Sequence, residues 1–424
     1  MSDSPHTPVL EPSGANGLID RRALLKHGAV LAAMYCTPRS SAALAQGERP
    51  DAMRVPGGGF VTYGQPSMHE QRVVRYAAAN SAVPGNGVSY TPLHRLEGTL
   101  VPNGLHFERH HNGVPNLDPA AHTLHLHGVV KRALAFDVET LLRYPMVSRQ
   151  CFVECGGNSN AAWADEPLQT ATSNIHGMVA NAEWTGVPVA VLLEEAGVDP
   201  SAHWAVAGGA DAFALTMSVP LTKLWDDALI ALYQNGERLR PENGYPLRLL
   251  LPGYEGVTNV KWLRSLEITR QPAMSRNETA RYTDLLPDGK ARMFSLVMEA
   301  KSVITSPSTG MVLDTPGLYQ LKGLAWSGRG RIAKVEVSAD GGATWADAAL
   351  DEPVQSKCFT RFRLPWRWQG QRAVLKSRAT DETGYVQPER DILIATRGDQ
   401  GYYHYNAVVS YEVDEDGFVS HVYA

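Results

Sequence analysis

Cysteine is scarce in this sequence, with four residues in 424, and two further features are missing altogether. No apolar run reaches the length of about 18 residues that a membrane-spanning helix needs, and no segment repeats itself along the chain. Basic residues show no excess, because 39 lysines and arginines face 44 acidic residues and the net charge is −5. The sequence therefore gives no indication of a membrane span, a repeat architecture or a nucleic-acid-binding surface.

The first 45 residues have the composition of an export signal. An arginine pair, Arg21 and Arg22, precedes a mildly apolar stretch at residues 28–34, and small residues at 43–45 offer a cleavage site. This order predicts a twin-arginine signal peptide over residues 1–45 and a periplasmic protein. Removal of the signal would also remove Cys36 and leave three cysteines, so a framework of paired disulfides is not expected.

The rest of the chain divides into three regions. Residues 46–89 are rich in glycine and proline and predict an irregular lead-in. Residues 90–305 alternate short apolar runs with helical patterns and predict a mixed α+β domain, whose clearest helix lies in residues 187–197. Residues 306–424 contain short strands separated by turns, which is typical of an immunoglobulin-like β-sandwich. The predicted fold class is therefore α+β, a mixed domain followed by a sandwich.

The sandwich region also allows predictions about single elements. In residues 332–338 the apolar Ala333, Val335 and Val337 alternate with polar residues, which predicts that these three share a buried face. The Asp-Gly-Gly at residues 340–342 predicts a hairpin turn. Residues 402–407 predict a strand with aromatic packing, whose exposed rings could contact a partner.

Cys155 is the strongest candidate for a residue with a chemical function. A β-type run at residues 149–154 delivers its thiol into a Gly-Gly turn, where the backbone can approach a bulky ligand closely. A thiolate at the end of a strand suits a soft, heavy metal. The alternative is a buried, unreactive cysteine, which is the role that we predict for Cys151 and Cys358.

A second candidate site is the polar segment at residues 104–115. It holds His106, Arg109, His110 and His111 within six residues. Such a cluster favours binding of an anion or a metal, although adjacent histidines on a strand point to opposite faces and suit zinc poorly. The alternative is a solvated polar loop.

Both segments resemble sequences of the sulfite oxidase family of molybdopterin enzymes. The Cys155 turn is similar to the strand-to-loop cysteine that binds molybdenum there. The polar segment is similar to the family's Phe-x-Arg-Asn-His-x-x-Val-Pro, with His110 in place of the usual asparagine. Further matches follow in order at residues 181–187, 243–248, 252–263, 323–328 and 335–345. Together these matches cover most of residues 90–385.

The resemblance implies a molybdenum-molybdopterin cofactor in residues 90–305. It implies that Cys155 binds the metal and that Arg109, with Arg367 as the second candidate, positions an anionic sulfur substrate. Arg248 and Lys261 would bind the phosphate of the pterin, and Asp211 would accept hydrogen bonds from its ring nitrogens. The cofactor-binding residues that the resemblance implies are Phe107, Glu108, Arg109, His110, His111, Asp211, Asn243, Arg248, Asn259, Val260 and Lys261. Asn243 stands where the family usually has histidine.

Within the family, residues 96–99, the polar segment, the Cys155 turn and residues 403–407 resemble the molybdenum subunits of bacterial sulfane dehydrogenases. This implies oxidation of sulfane sulfur held on a sulfur-carrier protein. Because no Cys-x-x-Cys-His heme motif occurs in the sequence, it also implies a c-type diheme cytochrome subunit as electron acceptor.

The same resemblance implies a homodimer within a hetero-oligomer, with residues 306–424 as a dimerisation domain that serves association rather than chemistry. Two alternatives stay open. One is a free-standing sulfite dehydrogenase with the same cofactor, and the other is a non-catalytic immunoglobulin-like binding protein.

Overall fold

The computed structural model of the protein describes residues 14–19, 55–399 and 401–424. The predicted twin-arginine pair, apolar stretch and cleavage site, at residues 20–45, lie outside these ranges. Within the described residues, the helices are too short or too polar to cross a membrane.

Strands provide most of the regular structure. In chain order they are β1 (Tyr76–Ala79), β2 (Gly87–Tyr90), β3 (Glu108–His110), β4 (Thr123–Gly128), β5 (Leu134–Asp137), β6 (Val147–Glu154), β7 (Val179–Pro188), β8 (Trp204–Gly209), β9 (Thr216–Pro220), β10 (Leu229–Gln234), β11 (Glu237–Arg238), β12 (Arg248–Leu250), β13 (Leu263–Thr269), β14 (Thr283–Leu285), β15 (Ala291–Met293), β16 (Lys301–Ser306), β17 (Gly317–Trp326), β18 (Ile332–Ser338), β19 (Ala346–Asp347), β20 (Ala349–Leu350), β21 (Thr360–Trp368), β22 (Ala373–Asp381), β23 (Ser410–Val413) and β24 (Val419–Val422). The described α-helices are α1 (Val138–Leu142), α2 (Thr172–His176), α3 (Val189–Ala196), α4 (Leu221–Asp226), α5 (Arg276–Ala280) and α6 (Arg390–Arg397).

The first domain is built on two five-stranded sheets. One has the order β11-β10-β7-β6, with β12 also paired to β10, and the other has the order β5-β4-β13-β8-β9. The pair β4 and β13 is parallel, whereas β13 and β8 are antiparallel. Residues of both sheets and of α1, α3 and α4 share one buried core, which confirms the predicted mixed domain.

Helix α3 confirms the clearest helix prediction. Its buried residues are Val189, Leu192, Leu193 and Ala196, the spacing of one face of a helix. The helix stops at Gly197, whose φ of +69° lies in the left-handed region that favours glycine. The start differs from the prediction by two residues, because Val187 and Pro188 still pair in β7.

The second domain consists of two antiparallel sheets with the orders β16-β17-β21-β20 and β19-β18-β22-β23-β24. Trp326, Phe362 and Trp366 are fully buried in the core that the sheets share. The predicted β-sandwich is confirmed, and its first strand already begins at Lys301. Ahead of the twin-arginine pair, Leu18 packs on this domain and forms a β-bridge with Trp366.

Three local predictions differ from the structure. The side chain of Ala333 is exposed, because the register shifts between Ile332 and Lys334 and the bulge turns it outward. The lead-in contains β1 and β2, which pair with β3 in a three-stranded sheet. Residues 402–407 form no strand, and His404 within them bonds instead to Gly156 and Glu255 of the first domain.

The close approach of β17 to its neighbours generates a stability prediction. A β-carbon on Gly323 would lie closer than 3.0 Å to the buried ring of Phe362 and to the carbonyl oxygen of Val303. We expect Gly323→Ala to lower the free energy of unfolding by about 1–3 kcal/mol through overpacking. Gly317→Ala, in open space at the start of the same strand, is the control and should be neutral. Thermal and urea unfolding check both, and equal stability of the two variants would contradict the prediction.

Candidate active site

Strand β6 ends at Glu154 and presents Cys155 at the start of a tight turn. The Cys155 amide donates to the carbonyl oxygen of Met178 at 2.9 Å, and the Asn158 amide donates to the carbonyl oxygen of Cys155 at 2.9 Å. Of the three cysteines in the described residues, Cys155 is the one that keeps solvent exposure. Burial raises the pKa of its thiol, although the Gly157 amide and Arg109 oppose this. A bound metal ion would supply the positive charge that the thiolate needs.

The turn after Cys155 requires glycine because its neighbours approach closely. A β-carbon on Gly156 would lie 2.6 Å from Oε2 of Glu255. A β-carbon on Gly157 would lie 3.5 Å from the Tyr402 ring and 3.9 Å from the Cys155 sulfur. The Gly-Gly sequence therefore allows a carboxylate and an aromatic ring to pack directly against the turn.

A buried ion pair supports this turn from below. Nζ of Lys301, from β16, lies 3.4 Å from Oε1 of Glu154, and both side chains are almost fully buried. The indole of Trp326 donates to the other carboxylate oxygen at 2.7 Å, and Asn158 donates to Oε1 at 2.8 Å. Lys301 also donates to the hydroxyl of Ser159 at 2.6 Å. The start of the sandwich thus holds both ends of the Cys155 turn.

Cys155 opens into a cavity of about 740 Å³, counted with the solvent at its mouth. The lining residues are His106, Phe107, Arg109, His110, His111, Val153, Cys155, Asp211, Leu215, Glu242, Asn243, Arg248, Gly256, Val257, Asn259, Lys261, Trp262 and Tyr282.

Two buried cations of this cavity have only neutral hydrogen-bond acceptors. Arg248 donates to the carbonyl oxygens of Asn243 and Asn259 at 3.1 and 2.9 Å. Lys261 bonds the ring of His110 at 2.8 Å and the backbone carbonyls of Arg109 and Glu242. Burial, with the charge of Arg248 as the second cause, lowers the pKa of Lys261 to about 7. Burial lowers the pKa of Arg248 to about 10. The cavity therefore favours an anion that would restore both charges.

Several buried polar atoms of the lining have no hydrogen-bond partner. They are Nε2 of His106, Oδ1 of Asp211 and Nε of Arg248. Buried polar atoms are normally paired, so three unpaired atoms in one cavity indicate the position of a polar ligand.

The histidines of the polar segment are neutral near physiological pH. Burial lowers the pKa of His106 to about 3 and, with the charge of Arg109, that of His111 to about 4. His111 also stacks on Phe213, with ring centroids 4.1 Å apart. His110 is held by Glu108, whose Oε2 lies 2.8 Å from its Nε2. The segment is therefore an ordered wall of the cavity.

Most of the predicted site residues come together in this cavity, and three do not. Glu108 stands behind His110 and pairs with Arg75. Val260 is buried in the core of the first domain. Arg367 lies on β21 opposite Leu318, where the regular strand keeps it in the sandwich and outside the lining. Asn243 and Asn259 do line the cavity, but their side-chain amides already have protein partners. The amide of Asn243 donates to Gln234, and that of Asn259 bonds the backbone of Leu251 and Glu255.

Other residues at the site carry no local sequence signal. Tyr282 lines the cavity and comes directly before β14. His404 donates from its backbone amide to the carbonyl oxygen of Gly156 at 2.8 Å, although it lies far along the chain. His106 and His404 are exceptions, because they belong to the polar segment and to residues 402–407, which the sequence already singled out. Only the tertiary fold could identify Tyr282, and only it places His404 at the Cys155 turn.

Comparisons with known proteins agree with this geometry. Residues 111–277 match the family described as an oxidoreductase molybdopterin-binding domain, and residues 292–411 match a Mo-co oxidoreductase dimerisation domain. The chain is 30% identical over 320 residues to the mitochondrial sulfite oxidase of Mus musculus, covering 69% of this chain and 58% of that protein. It is 28% identical over 346 residues to the NADH nitrate reductase of Solanum lycopersicum, covering 71% and 38%. The chain thus spans little more than half of the sulfite oxidase and well under half of the nitrate reductase.

One solved structure matches this chain over nearly the whole length of both proteins. The crystal structure of the sulfane dehydrogenase SoxCD from Paracoccus pantotrophus superposes with a TM-score of 0.82 and 42% sequence identity, covering 92% of this chain and 97% of that chain.

The lining residues fit the cofactor that these families bind. Cys155 offers a soft sulfur ligand for molybdenum. Arg248 and Lys261 offer fixed positive charge for a phosphate. The unpaired atoms of His106 and Asp211 offer a donor or acceptor for the polar edge of a pterin. Each of these protein groups would gain from the cofactor a partner that the described residues do not provide.

The lowered pKa of Lys261 predicts pH-dependent anion binding. Below a pH of about 7 Lys261 is protonated, and above it the amine is neutral, whereas sulfate does not titrate in this range. Sulfate should therefore raise the thermal midpoint of the cofactor-free chain more on the acid side of that pKa than on the basic side. Lys261→Met should remove this difference while the protein stays folded. Equal stabilisation by sulfate at both pH values in the unsubstituted protein would contradict the prediction.

Proposed function

Because the chain belongs to the sulfite oxidase family of molybdopterin oxidoreductases, we propose that it oxidises sulfane sulfur held on a carrier protein. The electrons pass to a c-type diheme cytochrome subunit. The observation that carries this proposal is a cavity that combines the Cys155 thiol, the two buried cations Arg248 and Lys261, and the half-buried Arg109. The 42% identity to a sulfane dehydrogenase, over almost the full length of both chains, supports the choice of substrate class.

The residues of the cavity divide into those that hold the cofactor and those that meet the substrate. When bound, the molybdenum cofactor supplies oxygen-atom transfer and accepts two electrons. Cys155 would bind the metal, Arg248 and Lys261 would bind the phosphate, and Asp211 would orient the pterin. Hydrogen bonds to protein carbonyl oxygens already hold Arg248 and Lys261 at the cavity wall, so these two cations are preorganised for an anion.

Arg109 would position the substrate beside Cys155. Its guanidinium donates to the carbonyl oxygens of Gly87 and His110 and contacts the ring of His111. These contacts hold the guanidinium of Arg109 in one position at the cavity wall. A single guanidinium suits the singly charged end of a carrier-bound sulfur chain. In the net reaction, one oxygen atom from water is added to sulfur, and two electrons and two protons are released.

Sulfite dehydrogenation is the second candidate, supported by the 30% identity to a sulfite oxidase. The two are separated by assaying the purified enzyme and a c-type cytochrome with carrier-bound sulfane and with sulfite. Reduction of the cytochrome by carrier-bound sulfane is the expected result. Reduction by sulfite alone would overturn the proposed substrate.

The proposal includes the assembly and the location of the enzyme. We infer a homodimer through residues 306–424, a cytochrome subunit bound to it, and periplasmic export by the twin-arginine route. Light scattering of the purified protein checks the dimer, co-purification checks the cytochrome, and fractionation of cells checks the export. A monomer at micromolar concentration, with and without cytochrome, would contradict the proposed dimer.

The role of Cys155 predicts a selective loss of turnover. In Cys155→Ser the volume is kept, but oxygen is a harder and weaker ligand for molybdenum than sulfur. We expect an intact fold and turnover lower by orders of magnitude. Cys358→Ser is the control, because that thiol is buried and donates to the carbonyl oxygen of Gln150 at 2.9 Å. Molybdenum analysis and cytochrome reduction measure both, and near-normal turnover in metal-loaded Cys155→Ser would end the assignment.

The role of Arg109 predicts a loss of substrate affinity. Arg109→Gln should raise KM and cost about 2–4 kcal/mol in kcat/KM, the range for removing one partner of a desolvated charged pair. Molybdenum content should stay normal. Arg367→Gln, outside the cavity lining, is the matched control and should keep the original kinetics. Steady-state assays at low salt check both variants, and identical kinetics for the two would remove Arg109 from the site.

A further inference from the structure

The segment after α6 returns from the sandwich to the Cys155 turn. The amide of His404 donates to the carbonyl oxygen of Gly156 at 2.8 Å, and the guanidinium of Arg397 donates to the carbonyl oxygen of His404 at 3.1 Å. His404 has a φ of +54°, a left-handed conformation that is uncommon for histidine. The surrounding contacts therefore hold this segment in one defined position over the turn.

A buried pair fixes the segment to the first domain. Nε2 of His404 lies 3.0 Å from Oε2 of Glu255, and both side chains are almost fully buried. Burial opposes the charged form of His404, but the hydrogen bond and charge of Glu255 outweigh this and raise its pKa. The same carboxylate oxygen of Glu255 faces Gly156. The pair thus joins the tail, the Glu255 loop and the Cys155 turn.

This arrangement places Tyr402 beside the Cys155 turn. The Tyr402 ring and the Cys155 sulfur flank the same residue, because a β-carbon on Gly157 would lie 3.5 Å from the ring and 3.9 Å from the sulfur. Tyr402 is nevertheless 54% exposed. Its ring meets that of Tyr403 edge-on at 4.8 Å, and Tyr403 lies 5.1 Å from Tyr282 of the cavity wall. Tyr402 is therefore an exposed aromatic residue at the Cys155 turn, and Tyr403 joins it to Tyr282 of the cavity lining.

We propose that Tyr402 is a specificity-determining residue that contacts the arm of a carrier-bound sulfur substrate as it enters the cavity. This inference rests on the proposed function for the identity of the substrate. A sulfur atom on a carrier protein can reach the metal only if the polypeptide arm follows it, and Tyr402 is an exposed aromatic residue beside the turn that carries Cys155. Tyrosine offers an apolar face and a hydroxyl at the water boundary, which suits a contact with a peptide.

The first test uses the holoenzyme with carrier-bound sulfane as substrate. Loss of one aromatic contact should raise KM for this substrate roughly tenfold in Tyr402→Ala, with a much smaller change in kcat. Tyr402→Phe should keep most of the affinity, because the ring is retained. Phe418→Ala is the control, since Phe418 is 47% exposed on the far turn of the same domain.

The outcomes separate this inference from the proposed function. If the unsubstituted enzyme oxidises carrier-bound sulfane and Tyr402→Ala has unchanged KM, the inference fails and the proposed function stands. If the unsubstituted enzyme does not oxidise carrier-bound sulfane, both the proposed function and the proposed contact of Tyr402 with the carrier fail.

A second test measures access to Cys155 without turnover. The cofactor-free, full-length chain is treated with a small thiol reagent, iodoacetamide, and with a bulky maleimide, and modification is located by mass spectrometry. If the Tyr402 ring narrows the entrance to the cavity, Tyr402→Ala should accelerate the reaction of Cys155 with the bulky maleimide more than its reaction with iodoacetamide. Cys151 and Cys358 are buried and serve as internal controls. Equal acceleration for both reagents, or none, would overturn the placement of Tyr402 at the entrance.

Discussion

The buried ion pair between Glu154 and Lys301 is the contact on which the site depends. It links the end of β6 to the first strand of the sandwich, directly beneath Cys155. Breaking such a pair leaves an uncompensated buried charge, which typically costs about 3–5 kcal/mol. The hydrogen bonds of Trp326, Asn158 and Ser159 satisfy the remaining polar atoms. The ion pair therefore ties the position of the Cys155 turn to the interface between the two domains.

The second domain consequently does more than mediate association, which is the role that its sequence alone implied. Lys301 and Trp326 support the Cys155 turn from below, and His404 and Tyr402 cover it from above. The turn lies between two parts of the sandwich domain that are about a hundred residues apart in the chain.

Charge explains why the cavity suits this cofactor. Arg248 and Lys261 are buried with neutral partners, so their environment favours an added anion. Cys155 is a neutral thiol in its raised-pKa environment, so it favours an added cation. A metal complex with an anionic tail meets both needs at once, whereas a simple cation or a simple anion would meet only one.

The sequence by itself determined the local elements and most of the cavity. The Gly-Gly turn after Cys155, the face of α3 and the polar segment that contains Arg109 depend on neighbouring residues, which short-range patterns report. Only the tertiary structure decided which distant groups join them. Arg367 is a candidate from the resemblance but lies on a strand of the sandwich, whereas Tyr282 has no local sequence signal and lines the cavity. His404 lies in a segment that the sequence singled out, but only the fold places it at the Cys155 turn. The reason is physical, because packing between domains and the pairing of buried charges set contacts across the chain that no local spacing records.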